Sequence, residues 1–271
     1  MTFRRLAVYS TATLVAAWVT LPLVLITLAA FTPRQVLYAW PRPILPARFT
    51  LGTMRTFILS ADVLQSTWNS LLVALMAIGF AFIVAAPAAY ALARFRFRGR
   101  DAVQLLALAT KMFPTTILAI PLAVAFLRWG LYDTLFGVAL VHTALAVPFV
   151  MTMVTGVFVA VSYELEEAAM TLGSSRVQAV TRITLPMALP GLAAAAIFTF
   201  VLSWNEVFAA TILTVDHRTL PALIMTAVFS SLGGAPLDYR FAGGFFMIVP
   251  ALVIILLIRR YLLTLWGVTI R

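Results

Sequence analysis

Cysteine is absent from this chain of 271 residues, and histidine occurs only twice. Without thiols the chain can form no disulfide, no thiolate metal site and no cysteine nucleophile. His142 and His217 are too few for a histidine-based metal cluster. We therefore expect no metal ion and no catalytic residue in this chain.

Charged residues are scarce as well. They make up 10% of the chain, hydrophobic residues make up 63%, and the mean hydropathy is +1.05. A soluble domain carries about 25% charged residues and about half apolar ones. The composition therefore predicts an all-α polytopic membrane protein. The net charge of +10 would suggest nucleic-acid binding in a soluble chain. Here the arginines stand at the ends of apolar runs, so membrane topology explains them and we expect no nucleic-acid partner.

Six apolar runs are long enough to cross a membrane, which takes about 20 mostly apolar residues. They cover residues 6–31, 67–93, 102–127, 134–161, 187–213 and 241–260. Residues 219–237 are apolar too, but Pro221, Gly233, Gly234 and Pro236 confine a continuous helix to about 222–232. That helix is too short to span. We expect six transmembrane helices and one external or interfacial helix.

The arginines also predict an orientation. Four of them crowd the short segment between the second and third runs, at positions 94, 96, 98 and 100. Short cytoplasmic loops carry an excess of Lys and Arg. With both termini in the cytoplasm, eleven arginines fall on that side and seven outside. The segment 162–186, between the fourth and fifth runs, then faces the cytoplasm.

Segment 162–186 carries the most informative motif, E-A-A-x₃-G-x₉-I-x-L-P. Its fixed positions are Glu167, Ala168, Ala169, Gly173, Ile183, Leu185 and Pro186. Ser162 can cap a helix, and the acids that follow it are favoured in the first turn. Gly173 suits the left-handed residue after a helix, and Ser174 or Ser175 can cap the next turn. We interpret the segment as a docking loop.

This loop resembles the coupling loop of ABC importer permeases, the membrane subunits that dock onto a separate ATPase. The resemblance extends to Thr67-Trp68-Asn69-Ser70-Leu71, Tyr90-Ala91-Leu92-Ala93-Arg94-Phe95, Met112-Phe113-Pro114 and Ser203-Trp204-Asn205-Glu206. It is closest to the smaller, second permease of the maltose-type carbohydrate importers. It implies a type I ABC importer permease fold with a cytoplasmic coupling helix. It also implies import of a carbohydrate, or of a related polyol or glycerol phosphate.

The resemblance implies partners and a location. It predicts a second permease in a heterodimer, two ATPase subunits and an extracellular or periplasmic solute-binding protein. These would assemble in the inner or plasma membrane of a bacterial or archaeal cell. The chain has no Walker motif, so we expect ATP and magnesium on the partner ATPase, no bound cofactor and no enzymatic activity here. The family's Gly-rich tail, which inserts near the ATPases, is only partly present in Thr264–Arg271. The implied coupling residues are Glu166, Glu167, Ala168, Ala169, Gly173, Ile183, Leu185 and Pro186.

Polar and aromatic residues within the runs suggest a substrate pathway, because a sugar needs polar partners and a stacking face. The candidates are Met112 and Phe113 in the third run and Trp204, Asn205 and Glu206 in the fifth. Two structural interpretations, without a role in transport, stay open. Methionines and aromatics at helical spacing usually serve packing, and Glu206 can be a helix-end carboxylate paired with Arg218 or Arg240.

Lys111 and His142 lie well inside the third and fourth runs. Lys111 either faces a cavity or a partner, or extends back to the cytoplasmic interface. At about 1.5 Å of rise per residue, the depths of Lys111 and Glu206 differ by roughly 10 Å or more, so we do not expect them to pair. For His142 a hydrogen bond between helices is favoured over a proton relay.

An ion-coupled secondary transporter is the main alternative function. Such proteins usually place coupling carboxylates near the midplane of the membrane. The first, second, fourth and sixth runs contain no acid, which argues against this class. An intramembrane enzyme would need clustered aspartates, a Ser–His pair or metal ligands, which one histidine in the runs does not supply.

Overall fold

The computed structural model describes residues 3–41, 43–60, 62–229 and 234–265. Throughout these ranges the regular structure is helical. The first half holds α1 Phe3–Ala30, α2 Arg34–Leu37, α3 Gly52–Ile58, α4 Val63–Arg94, α5 Arg100–Ala109, a 3₁₀ turn Thr110–Met112, α6 Thr115–Trp129 and α7 Leu135–Ala160. The second half holds α8 Tyr163–Thr171, α9 Arg176–Ala179, a π-helical turn Val180–Thr184, α10 Leu185–Trp204, α11 Phe208–Leu213, α12 Leu220–Phe229 and α13 Leu237–Leu265.

Five helices in the described ranges are long and apolar enough to cross a membrane. They are Arg5–Ala30, Val63–Arg94, Leu135–Ala160, Arg176–Trp204 and Leu237–Ile254. The segments Arg100–Met112 and Thr115–Trp129, bent by 89° relative to each other, make a sixth when they are counted as one span. When the bent pair is counted as one span, the structure has six spans, and the predicted all-α class with six spans is confirmed. The predicted short apolar helix corresponds to α12, and residues 230–232 at its predicted end lie outside the described residues. Residues 266–271 of the C-terminal tail also lie outside them.

The third span is broken rather than continuous. The break falls at Phe113 and Pro114, whose backbones are extended at φ −80°, ψ 120° and φ −62°, ψ 125°. Proline disfavours the helical conformation of the residue before it, which explains why the helix stops there. The break leaves Lys111 in the last turn before the bend.

The fifth span is shifted relative to the predicted run 187–213. Helical structure begins at Arg176, so the second half of the predicted loop 162–186 already belongs to it. The long helix ends at Trp204, and α11 resumes at Phe208. The helix boundaries differ from the predicted run because hydropathy does not register the polar caps at Ser175 and Glu206.

The chain forms two compact units, Met1–Gln65 with Leu223–Pro250, and Ser66–Ala222 with Ala251–Arg271. Within the first, the Phe57 ring meets Tyr239 and the Phe31 ring meets Phe245, both edge to face with centroids 4.9 Å apart. The second unit contains the docking loop and the candidate pathway residues.

The core of the second unit joins α4, α7 and α10. One face of α4 carries alanine at every fourth position, Ala81, Ala85 and Ala89, all fully buried. Small residues let helix backbones approach closely, which drives packing where lipid replaces water. Gly191 in α10 serves the same purpose, because a Cβ there would collide with the side chain of Val157 in α7. The ends of these helices that adjoin segment 162–186 are thereby held close together.

Candidate functional site

The docking loop folds as two helices joined by a tight turn. α8 ends at Thr171, and Gly173 takes the left-handed conformation at φ +91°. The amide of Ser174 donates to the carbonyl of Ala169 at 3.0 Å, and the amide of Gly173 donates to Met170 at 3.1 Å. These two bonds satisfy carbonyls at the end of α8 in the pattern typical of a glycine helix end. The predicted left-handed conformation of Gly173 is confirmed.

The N-terminal caps of α8 and α9 differ. Ser175 accepts a bond from the Gln178 amide at 3.3 Å, and Gln178 accepts one from the Ser175 amide at 2.9 Å. This reciprocal capping box fixes the start of α9. Ser162 precedes α8, but its side chain makes no capping bond. The prediction of a Ser162 cap was therefore wrong.

The docking loop presents a mixed surface. In α8 the side chains of Glu167 and Ala168 are exposed, and Leu172 just beyond it is 88% exposed. Leu185 and Pro186 are exposed at the start of α10, Gly173 is exposed, and Ile183 is half-buried. Ala169 and Glu166 are the two buried residues of α8. The eight predicted coupling residues are thus divided between an accessible surface and an interior contact.

Glu166 occupies the interior contact, and its side chain is 1% exposed. Two guanidinium nitrogens of Arg94, Nε and Nη2, lie 2.8 Å and 2.7 Å from Glu166 Oε1. Thr184 donates its hydroxyl to the same oxygen at 2.7 Å, and Tyr90 donates to Oε2 at 2.7 Å. Arg94 also donates to the carbonyl of Val161 at 3.0 Å. Both oxygens of this carboxylate therefore accept hydrogen bonds from side chains.

The ionisation of Glu166 follows from these contacts. Burial by itself raises the pKa of a carboxyl group, because it disfavours the charged form. The hydrogen bonds from Thr184, Tyr90 and Arg94, together with the Arg94 charge, outweigh burial and hold the pKa of Glu166 below its ordinary value of 4.5. The carboxylate is therefore charged at neutral pH and stabilised by its neighbours.

A second polar site surrounds the break in the third span. It is a cavity of about 280 Å³ lined by Lys111, Thr115, Leu145, Leu202, Asn205, Glu206, Val207 and Phe208. Lys111 and Glu206 therefore share one cavity, contrary to the separation expected from their depths. The depth argument assumed a straight helix, whereas the chain bends by 89° immediately after Lys111. The ammonium group of Lys111 donates to the carbonyl of Leu145 and lies 4.9 Å from the centroid of the Phe149 ring.

Glu206 sits where α10 ends and α11 begins. Its two carboxylate oxygens accept bonds from the amides of Ala209 and Ala210, each at 3.1 Å. His142 of α7 places Nε2 at 3.3 Å from Glu206 Oε2 and Nδ1 at 2.8 Å from the hydroxyl of Ser203. The expected interhelical bond of His142 is confirmed, and Glu206 contacts His142 in place of the arginines considered as partners.

The remaining pathway candidates fall in different surroundings. Trp204 is 1% exposed and stacks on Phe200 with centroids 5.6 Å apart, so it offers no face to a ligand. The pathway candidate Trp204 is therefore buried in packing at the end of α10 and does not line the cavity. Met112 and Phe113 are 83% and 66% exposed, but they do not line the Lys111–Glu206 cavity. Asn205 is exposed and lines it.

Several site residues had no sequence signal strong enough to assign them. Tyr90 and Arg94 stand one helical turn apart at the polar end of an apolar run. This spacing was the only sequence feature that indicated a shared contact. Thr184 lies in a π-helical turn, and such turns are frequent at functional sites but have no simple sequence pattern. Thr115 and Phe208 join the cavity only because the third and fifth spans are broken.

Comparison with known proteins identifies the family. Residues 77–264 match the family described as the binding-protein-dependent transport system inner membrane component. The chain belongs to this family. It is 30% identical over 251 residues to the trehalose transport system permease protein SugB of Mycobacterium tuberculosis, covering 92% of this chain and 90% of that protein. It is 27% identical over 197 residues to the trehalose/maltose transport system permease protein MalG of Thermococcus litoralis, covering 72% and 71%.

Solved structures agree on the fold. A bacterial ABC transporter involved in the import of the acidic polysaccharide alginate superposes with a TM-score of 0.77 at 20% identity, covering 95% of this chain and 96% of that one. The MetNI methionine ABC transporter gives 0.61 at 20% identity, covering 73% and 93%. The chain is therefore a multi-pass membrane permease of an ATP-driven ABC importer with the type I fold. The alternative of an ion-coupled secondary transporter is set aside.

Proposed function

We propose that this permease moves a carbohydrate, or a related polyol or glycerol phosphate, into the cell. The strongest support is the polar cavity lined by Lys111, Thr115, Asn205 and Glu206. A sugar hydroxyl both donates and accepts hydrogen bonds, and this cavity offers both kinds of partner. Phe208, which is 50% exposed at the cavity, supplies the apolar face that Trp204 cannot. The relatives named for trehalose and maltose transport, at 30% and 27% identity, point to the same substrate class.

The proposed complex contains four kinds of chain. A second permease pairs with this one, two ATPase subunits bind ATP and magnesium on the cytoplasmic side, and a solute-binding protein delivers substrate from outside. Both termini and the docking loop lie in the cytoplasm. This chain holds no nucleotide and performs no chemistry. Its part is to form half of the pathway and to receive the motion of the ATPases.

The exposed surface of α8 is the proposed docking element. The helix is nine residues long and ends in the tight turn at Gly173. Ala168 keeps its outer side shallow, so a partner backbone can approach closely. Glu167 offers one exposed charge for a basic residue of the ATPase, and Leu172 offers an apolar contact. ATP-driven closure of the ATPases would displace α8 and switch the pathway between its two openings.

Charge reversal on α8 tests the docking element. We expect Glu167→Lys to reduce the amount of ATPase that co-purifies with the permease pair, because like charges would meet at the interface. Asp101→Lys is the matched control, since Asp101 is an exposed acid of the preceding cytoplasmic segment and lies outside α8. Equal ATPase recovery with both variants would contradict docking through Glu167.

Substrate competition tests the pathway. Uptake by the assembled importer should be inhibited by unlabelled disaccharides or polyols and unaffected by amino acids. Neutralising the cavity with Lys111→Met should lower uptake per assembled complex without lowering ATPase recovery. Full uptake by Lys111→Met would remove Lys111 from the pathway, and inhibition by amino acids alone would contradict the carbohydrate assignment.

A further inference from the structure

The docking helix is fixed to the rest of the second unit through one buried carboxylate. α8 buries only two residues, Ala169 and Glu166. Ala169 contributes a single methyl group, whereas Glu166 makes hydrogen bonds to three side chains. The anchoring of α8 therefore depends mainly on Glu166.

The donors to Glu166 come from different parts of the fold. Tyr90 and Arg94 lie in the last two turns of α4, at the end of the second span. Thr184 closes the π-helical turn that leads into α10, the fifth span. Arg94 binds the carbonyl of Val161 as well, which adds the end of α7. One carboxylate thus joins the docking helix directly to two spans, and through Arg94 to the end of a third.

Glu166 is poorly suited to meeting an ATPase itself. Its side chain is 1% exposed, and its neighbour Glu167 is exposed. A charge buried to this degree is tolerated only when its partners satisfy it. The two adjacent glutamates of the motif therefore face different environments, one outward and one into the fold.

We propose that Glu166 is a positioning residue that locks α8 to the ends of the second and fifth spans, so that displacement of α8 moves those spans with it. The inference builds on the proposed docking of α8 onto an ATPase, and it assigns the transmission step to a contact inside this chain. Without the Glu166 contacts, α8 is held by the turns at 161–162 and 172–175, by Ala169 and by Tyr163, whose ring centroid lies 5.5 Å from the guanidinium carbon of Arg94. An ATPase could then displace α8 without an equal displacement of the second and fifth spans.

The test compares coupling with assembly in the reconstituted importer. We expect Glu166→Gln to keep its ATPase and to hydrolyse ATP, while transport per ATP hydrolysed falls about tenfold or more, since bonds to a charged group are lost. Glu164→Gln is the matched control, because Glu164 is an exposed acid in the first turn of the same helix. Its transport per ATP should equal that of the wild type.

Two gentler variants keep the test decisive if Glu166→Gln does not assemble. Tyr90→Phe and Thr184→Val each remove one hydrogen bond to Glu166 with almost no change in volume. Both should assemble and lower transport per ATP by about threefold or more, since each lost bond is to a charged group. Wild-type coupling in both would overturn the proposal.

A distance measurement separates positioning from mere stabilisation. Because the chain contains no cysteine, spin labels can be placed on Leu172→Cys and Arg98→Cys alone. The distance distribution between them should stay narrow with and without ATP, and should broaden when Tyr90→Phe or Thr184→Val is added. An unchanged distribution in these variants would contradict the locking of α8. If instead Glu167→Lys leaves ATPase binding intact, the docking proposal itself fails, whatever the Glu166 variants do.

Discussion

Replacement of Glu206 by glutamine separates its two possible roles. The carboxylate accepts bonds from the amides of Ala209 and Ala210, each at 3.1 Å, and its Oε2 lies 3.3 Å from His142 Nε2. It also lines the cavity beside Lys111. Glutamine keeps the shape and one acceptor oxygen but removes the charge. The cap of α11 would therefore be partly retained, whereas a charged contact to substrate would be lost.

The expected magnitude follows from the number of bonds affected. A hydrogen bond to a charged group contributes about 1.5–3 kcal/mol, and 1.4 kcal/mol corresponds to about a factor of ten. We expect uptake per assembled complex to fall about tenfold or more in Glu206→Gln, with basal ATP hydrolysis unchanged. Glu206→Ala should also lose the α11 cap and should therefore lower the thermal stability of the purified complex.

The assay is initial uptake of labelled sugar into proteoliposomes, divided by the amount of assembled complex, because expression losses would mimic a transport defect. Asp101→Asn is the control, since it removes an exposed carboxylate outside the cavity. Uptake by Glu206→Gln within a factor of two of the wild type would refute the pathway role and leave Glu206 as a helix cap alone.

Three further predictions concern orientation, turn geometry and pH. In the cysteine-free chain, Thr50→Cys should react with an impermeant thiol reagent added outside cells, and Gly99→Cys should not; the reverse pattern would overturn the orientation. Gly173→Val should reduce ATPase recovery without affecting membrane insertion, because a β-branched residue cannot readily adopt φ +91°, and normal recovery would count against the turn. The pKa of Glu166 is lower in the folded state, so its stabilisation is complete above the ordinary value of 4.5 and is lost as pH falls below it. Thermal unfolding followed from pH 7 to well below pH 4 should show this loss in the wild type and not in Glu166→Gln.

The sequence predicted the features of this fold that depend on local chemistry. The left-handed turn at Gly173 and the cap at Ser175 follow from residue type and spacing. Long apolar helices follow from hydropathy, because a membrane span has to satisfy its backbone internally. The family followed from the spacing of a seven-residue motif.

The features that were missed depend on contacts between distant residues. Arg94 and Glu166 are 72 positions apart, so their ion pair had no local signature. Lys111 and Glu206 line one cavity only because the third span bends, and a proline in a span predicts a kink without giving its angle. Trp204 illustrates a third limit: a tryptophan at the end of an apolar run is typical of an interface, but here tertiary packing against Phe200 buries it.

The most direct test of the central claim is uptake by the full importer in proteoliposomes with controlled energy sources. If this chain is the permease of an ATP-driven sugar importer coupled through α8, uptake will require ATP on the ATPase side and the binding protein on the other. It will also persist when ionophores collapse all ion gradients, and it will be lost in Gly173→Val. Uptake driven by an ion gradient in the absence of ATP would contradict the account.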